Sequence, residues 1–264
     1  MRRCLPLTAF AVIALSGPAF AQAVREPLPP QAPVHVMSGS RVDYAALLAS
    51  PLRPEEDRAR DAARQTAITL DFTGVQPGWK VADMIIGGGY FTRAFAAVVG
   101  PEGHVTAWQP DEFIGFQASY GEAVTAADAL PNVDGVHSAI GAPVFPSGLD
   151  LVFTAQNYHD LHLRPFATDT AAKVNAAVFA ALRPGGYYVI IDHEAVSGSD
   201  LSVADSLHRI DSDIVIREVE AAGFEFDSAG AALWNDADPR TANVFDPSIR
   251  GHTSQFMLRF RKPG

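Results

Sequence analysis

Between residues 80 and 262 the chain alternates two hydrophobic patterns: short apolar runs bounded by turn residues, and longer stretches in which apolar positions recur at helical spacing. The first kind reads as strands buried on both faces of a parallel sheet, the second as helices packed on that sheet. Val81, Ala82, Met84 and Ile85 form the first run, with Asp83 inside it. Gly87, Gly88 and Gly89 end it, and a helix begins at once, with Phe91, Phe95 and Val98 on one face and Ala94 between them. Three consecutive residues without a Cβ allow a sharp turn and let backbone N–H groups approach a ligand at the helix start. Gly100-Pro101-Glu102-Gly103 then turns the chain into a second strand at 104–108.

The alternation continues with a helix over 113–127, a third strand over 133–140 and LDLVFT at 149–154 as the fourth strand. Val174, Val178, Ala181 and Leu182 predict a helix closed by the glycines of Arg183-Pro184-Gly185-Gly186, with a fifth strand at 187–192. One helix is predicted over 202–222, Gly223 and Phe224 open a sixth strand, and 256–260 alternates as a final strand near the sheet edge. Ahead of the sheet, 44–48 and 54–69 read as helices. On the second, Glu56 and Asp57 with Arg60, and Asp61 with Arg64, stand at helical spacing, which fits a solvated face or a helix covering one side of the ligand cleft.

With 264 residues, 48% of them hydrophobic, the chain is long enough for one sizeable domain, placed at 41–264. A net charge of −10 argues against a general nucleic-acid binder. Residues 1–21 carry the three parts of a secretory signal peptide: Arg2-Arg3, an apolar core, and Ala19-Phe20-Ala21 as the cleavage site. That core is too short to span a bilayer, so an exported, periplasmic protein without stable membrane insertion is expected. Residues 22–40 are rich in proline and read as a flexible linker, and Cys4 is the sole cysteine.

Asp83, Gly87 and Gly89, the GPEGHV turn at 100–105 and the stretch ALRPGGYYVIIDH ending at His193 together resemble class I S-adenosylmethionine-dependent methyltransferases. The resemblance implies a Rossmann-like α/β sandwich with a mostly parallel seven-stranded sheet and an antiparallel last strand. It also implies S-adenosylmethionine as cofactor, held by Asp83, Gly87, Gly88, Gly89 and Gln109. Three positions depart from the family pattern. Ile85 replaces its first glycine, where a β-branched side chain can block the cofactor's amino-acid end. Gln109 replaces the acid that grips the ribose, and Ser138-Ala139-Ile140-Gly141-Ala142 lacks the acid after the third strand. NYHDLH at 157–162, HRID at 208–211 and IRGHTSQF at 249–256 are similar to a group of exported bacterial methyltransferase-like proteins.

Ligands of open parallel sheets bind beyond the carboxyl ends of the strands, where the strand order reverses. That rim gathers the glycine turn, Gln109, residues 157–162, His193 and Glu194. For His159, His162 and His193 three readings stand: metal ligands with Asp160 or Glu194, substrate contacts or a general base, or histidines that merely bond backbone and water. H-D-x-H matches no tight spacing of a structural zinc site, so no metal is expected. Tyr158, His159 and His193 are the candidate catalytic residues on the acceptor side. Arg209 and Asp211 either close over the rim or lie on the surface. The function these readings favour is methyl transfer to a small-molecule acceptor, the alternative being an exported non-catalytic or repurposed ligand-binding protein on the same fold. The acceptor and the oligomeric state stay open.

Overall fold

Residues 42–264 are described by a computed structural model; the expected signal peptide and proline-rich linker lie outside the described residues. Seven strands form one sheet: β1 (Lys80–Met84), β2 (His104–Pro110), β3 (Val133–Ser138), β4 (Leu149–Ala155), β5 (Leu182–His193), β6 (Glu225–Gly230) and β7 (Gln255–Arg261). Their order is β3-β2-β1-β4-β5-β7-β6. The first five run parallel, whereas β7 pairs antiparallel with both β5 and β6. The strand order reverses between β1 and β4, whose residues Asp83 and Phe153 are in register. The resulting crevice opens just beyond Met84, where the three glycines follow.

Helices cover both faces, as a parallel sheet buried on two sides requires. On one face α4 (Tyr90–Val99) and α6 (Ser119–Asp128) join α1 (Tyr44–Leu48) and α3 (Thr66–Thr73) over Val81, Val105, Leu151 and Val189. Phe95 and Phe153 meet edge to face there, with ring centroids 5.0 Å apart. On the other, α7 (Thr170–Ala181) and α9 (Ser212–Ala221) pack on Ala82, Trp108, Val152, Tyr188 and Ile190. No helix among the described residues is long and apolar enough to cross a membrane.

The structure corrects three expectations here. The helix expected at 202–222 is split into α8 (Ser202–Leu207) and α9, because His208 adopts a left-handed conformation (φ 53°) and Ile210 bridges to Glu194 as an extension of β5. There the backbone N–H of Ile210 donates to the carbonyl of His193, and that of Ala195 to the carbonyl of Ile210, both at 3.0 Å, which removes these groups from a helical ladder. The helix expected at 113–127 breaks at extended Gln117 into α5 (Asp111–Phe116) and α6. Arg183 to Gly186 lies inside β5 rather than before it, since Leu182 already pairs with Leu149, and the carbonyl of Gly186 accepts from the N–H of Lys262, the residue after β7. The final strand does lie near the sheet edge: β7 is one strand in from it, and β6 is the edge strand.

The expected helix over 54–69 is likewise interrupted: α2 (Glu55–Arg58) is followed by turns and by left-handed Gln65 before α3 begins. Glu55, Glu56 and Arg60 stay exposed, but Asp57 and Asp61 do not join them on a solvated face. Asp57 pairs with Arg93 at 2.5 Å, and Asp61 with Arg53 at 2.6 Å and with the Tyr90 hydroxyl at 2.5 Å. These bonds dock the segment onto the start of α4, beside the glycine turn.

Candidate functional site

The turn after β1 keeps a glycine-like backbone although its first glycine is absent. Ile85 is left-handed (φ 63°), a conformation a β-branched residue rarely adopts. Its N–H and that of Ile86 both donate to the carbonyl of Trp108, at 2.8 and 3.3 Å, which holds the turn against β2. The Ile85 side chain is 3% exposed and belongs to the apolar cluster of Trp108, Phe113 and Ile140, so it is packed into the core rather than standing free over the turn. A Cβ placed on Gly87 or on Gly88 would meet no atom within 4 Å, so the space in front of these two residues is open.

Gln109 ends β2 fully buried. Its Oε1 accepts from the Gly87 N–H at 3.0 Å, while Nε2 has no partner. The acceptor expected to face a ribose is therefore spent on the turn, and what Gln109 offers instead is a buried donor. Asp83 lies beneath the turn, where its carboxylate accepts from the Thr92 hydroxyl at 2.6 Å. Burial raises its pKa to about 6, with the Thr92 bonds acting in the opposite direction.

Over the crevice lies the covering segment. Arg64 reaches Gln156 Oε1 at 3.3 Å, and its guanidinium stands 4.6 Å from the centre of the Tyr90 ring. Arg93 donates to the carbonyl of Gly88 at 3.0 Å while its other nitrogens hold Asp57. Of the two readings of this segment, the one that covers the cleft is the one the contacts fit. Asn157 ties the far wall to the turn, its Nδ2 donating to the carbonyl of Ile85 at 3.0 Å.

The three candidate catalytic residues part company. Tyr158 is turned into the helix layer: its hydroxyl donates to Glu218 of α9 at 2.9 Å and accepts from Asn175 of α7 at 2.8 Å, so it does not face the rim. His159 is at the rim, in a 3-10 turn (His159–His162), but it is gripped by carboxylates on both sides. Nδ1 bonds Asp192 at 2.9 Å and Nε2 meets Asp160 at 3.2 Å. Burial would push its pKa down, but the Asp192 charge and the bonds to Asp160 and Asp192 outweigh it and raise the value to about 10. The two carboxylates thus favour the charged ring, which runs against the expectation that His159 takes a proton at neutral pH. His193 goes the other way: burial, reinforced by charged His159, lowers its pKa to about 4 against the pull of Asp192. It stays neutral, with Nδ1 bonded to the Thr253 hydroxyl at 2.8 Å.

His162 leaves the rim and bonds Glu218 at 3.1 Å. Arg209 neither closes over the rim nor lies on the surface. It is fully buried, paired with Asp238 through two bonds of 2.8 and 3.1 Å and donating to the carbonyls of Glu194 and Ala242. Asp211 caps α9. Two residues at the rim were absent from the candidate set: Asp192, which closes VIID at the end of β5, and His208, whose ring stands edge-on to His159 with centroids 5.4 Å apart. The HRID match pointed at His208, but its partner is 49 positions away in sequence (208 − 159).

No family model matches the chain, and no curated protein matches it. Solved structures do. A SAM-dependent methyltransferase from Aquifex aeolicus aligns with 84% of this chain and 99% of its own at TM-score 0.52 and 18% identity. A chain of a Haloferax volcanii complex between a methyltransferase activator and a methyltransferase covers 86% and 100% at 0.56 and 14%. A Galdieria sulphuraria protein proposed to be a sarcosine dimethylglycine methyltransferase covers 76% and 85% at 0.54 and 16%. The fold is the Rossmann-like fold of class I methyltransferases.

Proposed function

We propose that the protein is an S-adenosylmethionine-dependent methyltransferase acting on a small-molecule acceptor. The observation that carries this reading is the open glycine turn at the β1/β4 reversal of a sheet ordered β3-β2-β1-β4-β5-β7-β6 with β7 antiparallel. The residues present fit the cofactor. Gly87 and Gly88 admit close approach to the backbone, and the orphan Nε2 of buried Gln109 offers a hydrogen bond to a hydroxyl oxygen. Asp83 sets an acidic group under the turn, and the segment bearing Arg64, tied to α4 through the Asp57–Arg93 pair, screens the crevice from water. The cofactor supplies an electrophilic methyl group; the chain's part is to bind, orient and exclude water. Among the three candidate residues, neutral His193 is the one in a state to accept a proton from an acceptor.

A second reading rests on one observation: the Gly87 N–H is already taken by Gln109, which favours a rim turned to another ligand. Calorimetry with S-adenosylmethionine separates the two. Gly88 is not left-handed and a Cβ there meets nothing, so Gly88→Leu fills the ligand space without straining the turn. Binding by the wild type that is lost in folded Gly88→Leu supports the methyltransferase. No heat with the wild type refutes it in favour of the second reading. Export through cleavage after Ala21 is part of the same proposal. An intact mass beginning at Gln22 in the cell envelope supports export, and one beginning at Met1 refutes it.

A further inference from the structure

We propose that His159, Asp160 and His208 form a binding site for a single divalent transition-metal ion, zinc first among them. One ligand atom from each residue lies within 4.8 Å of the other two, and no other such group of His, Cys, Asp and Glu occurs among the described residues. His159 Nε2 and Asp160 Oδ1 are 3.2 Å apart, close to the roughly 3.4 Å that separates two ligands about 2.1 Å from a tetrahedral ion. The remaining gap is His208's to close. Its side chain is half-buried on a left-handed residue at the end of α8, a conformation histidine tolerates better than most, with Phe245 against its ring at 4.9 Å.

A second observation concerns the far side of His159. Asp192, fully buried at the end of β5, accepts from Nδ1 at 2.9 Å and also bonds the His159 backbone N–H at 2.7 Å. A carboxylate on Nδ1 fixes the ring and leaves Nε2 on the side of Asp160, the arrangement that orients an imidazole for a metal and makes it a stronger donor. Nothing in a merely structural ion pair requires a second histidine beside the first, as His208 stands beside His159.

The donor set decides the class of ion. Two imidazoles and one carboxylate suit zinc, iron(II) or cobalt(II) and disfavour magnesium and calcium, which take oxygen ligands. Three protein ligands leave at least one position for water or an oxygen-bearing molecule, on the rim where β4 and β5 end. The inference stands apart from the cofactor reading, because none of its residues touches the glycine turn.

The test uses the full chain, stripped with chelator and titrated with zinc chloride by calorimetry. One equivalent should bind, and His208→Asn, which keeps a residue tolerant of the left-handed backbone, should weaken binding about tenfold or more, as should Asp160→Asn. Magnesium chloride and calcium chloride should give no saturable heat. Absence of stoichiometric zinc binding, or unchanged affinity in both folded variants, would overturn the site. Preference for magnesium or calcium would overturn it too. Should either variant fail to fold, X-ray absorption fine structure of the zinc-loaded wild type reads the same ligand set. Two imidazoles are expected, and an all-oxygen shell or a single imidazole refutes the assignment.

Discussion

Ile85 carries two opposing terms that substitution can separate. Its left-handed backbone costs about 1–2 kcal/mol for a residue with a Cβ. Its buried side chain, in contact with the cluster around Trp108, stabilises by about 2–5 kcal/mol relative to alanine. Ile85→Ala loses the packing and keeps the strain, so it should destabilise by most of that amount. Ile85→Gly loses the same packing but relieves the strain, and should be about 1 kcal/mol more stable than the alanine variant, the reverse of the usual order of these two residues. Relative to wild type the glycine variant should lose roughly 2–3 kcal/mol, or about 5–10 °C in melting temperature for a domain of this size. Urea unfolding of all three proteins, with equal m-values as the check on two-state behaviour, measures both differences. If alanine proves as stable as glycine, the left-handed turn is wrong. If glycine matches or exceeds wild type, the side chain is not packed where the structure puts it.

Asp83→Asn tests the buried acid. The folded protein holds this proton up to about pH 6 and the unfolded chain releases it near 3.8, so stability from this group is lost as pH rises through that window. The wild type should therefore lose about 3 kcal/mol relative to the variant between pH 3.5 and 6.5, and parallel stability curves for the two would remove the effect. Arg209→Met strands Asp238 without its cation and should cost about 3–5 kcal/mol, part of it recovered when Asp238→Asn is added; strictly additive losses would deny the pairing. Tyr158→Phe leaves Asn175 Nδ2 without a partner and Glu218 with His162 alone, so a loss of about 1–3 kcal/mol with S-adenosylmethionine affinity unchanged is expected. A stable variant with altered affinity would return Tyr158 to the rim.

Periodicity revealed the sheet because each strand had to be apolar to be buried on both faces, and the glycine turn because left-handed backbone selects glycine. Backbone bonds made between distant residues left no such trace. The break at His208 exists because Ile210 extends β5, and the strand at Leu182 because it meets Leu149. The site showed the same division. Rim position was legible for His159 and His193, yet their opposite protonation states depend on Asp192, whose contact with His159 spans the fold. Tyr158 had the right neighbours in sequence and the wrong direction in space, since a residue opening a 3-10 turn can face either the crevice or the helix layer.

The place of β7 between β5 and β6 governs the order in which the sheet can assemble. β6 has no other strand beside it, so it cannot join until the later β7 has filled the gap next to β5. Closing that gap pairs Tyr187 with Arg261 and requires the excursion between β6 and β7 to be looped out first, contacts of long sequence separation that form slowly. Until then the whole edge of β5, with Val189, Ile190 and Ile191 along it, is an open template for another chain. Insertion of β7 is thus the long-range step that closes this edge, and a holding chaperone that recognises the apolar strand would act before it.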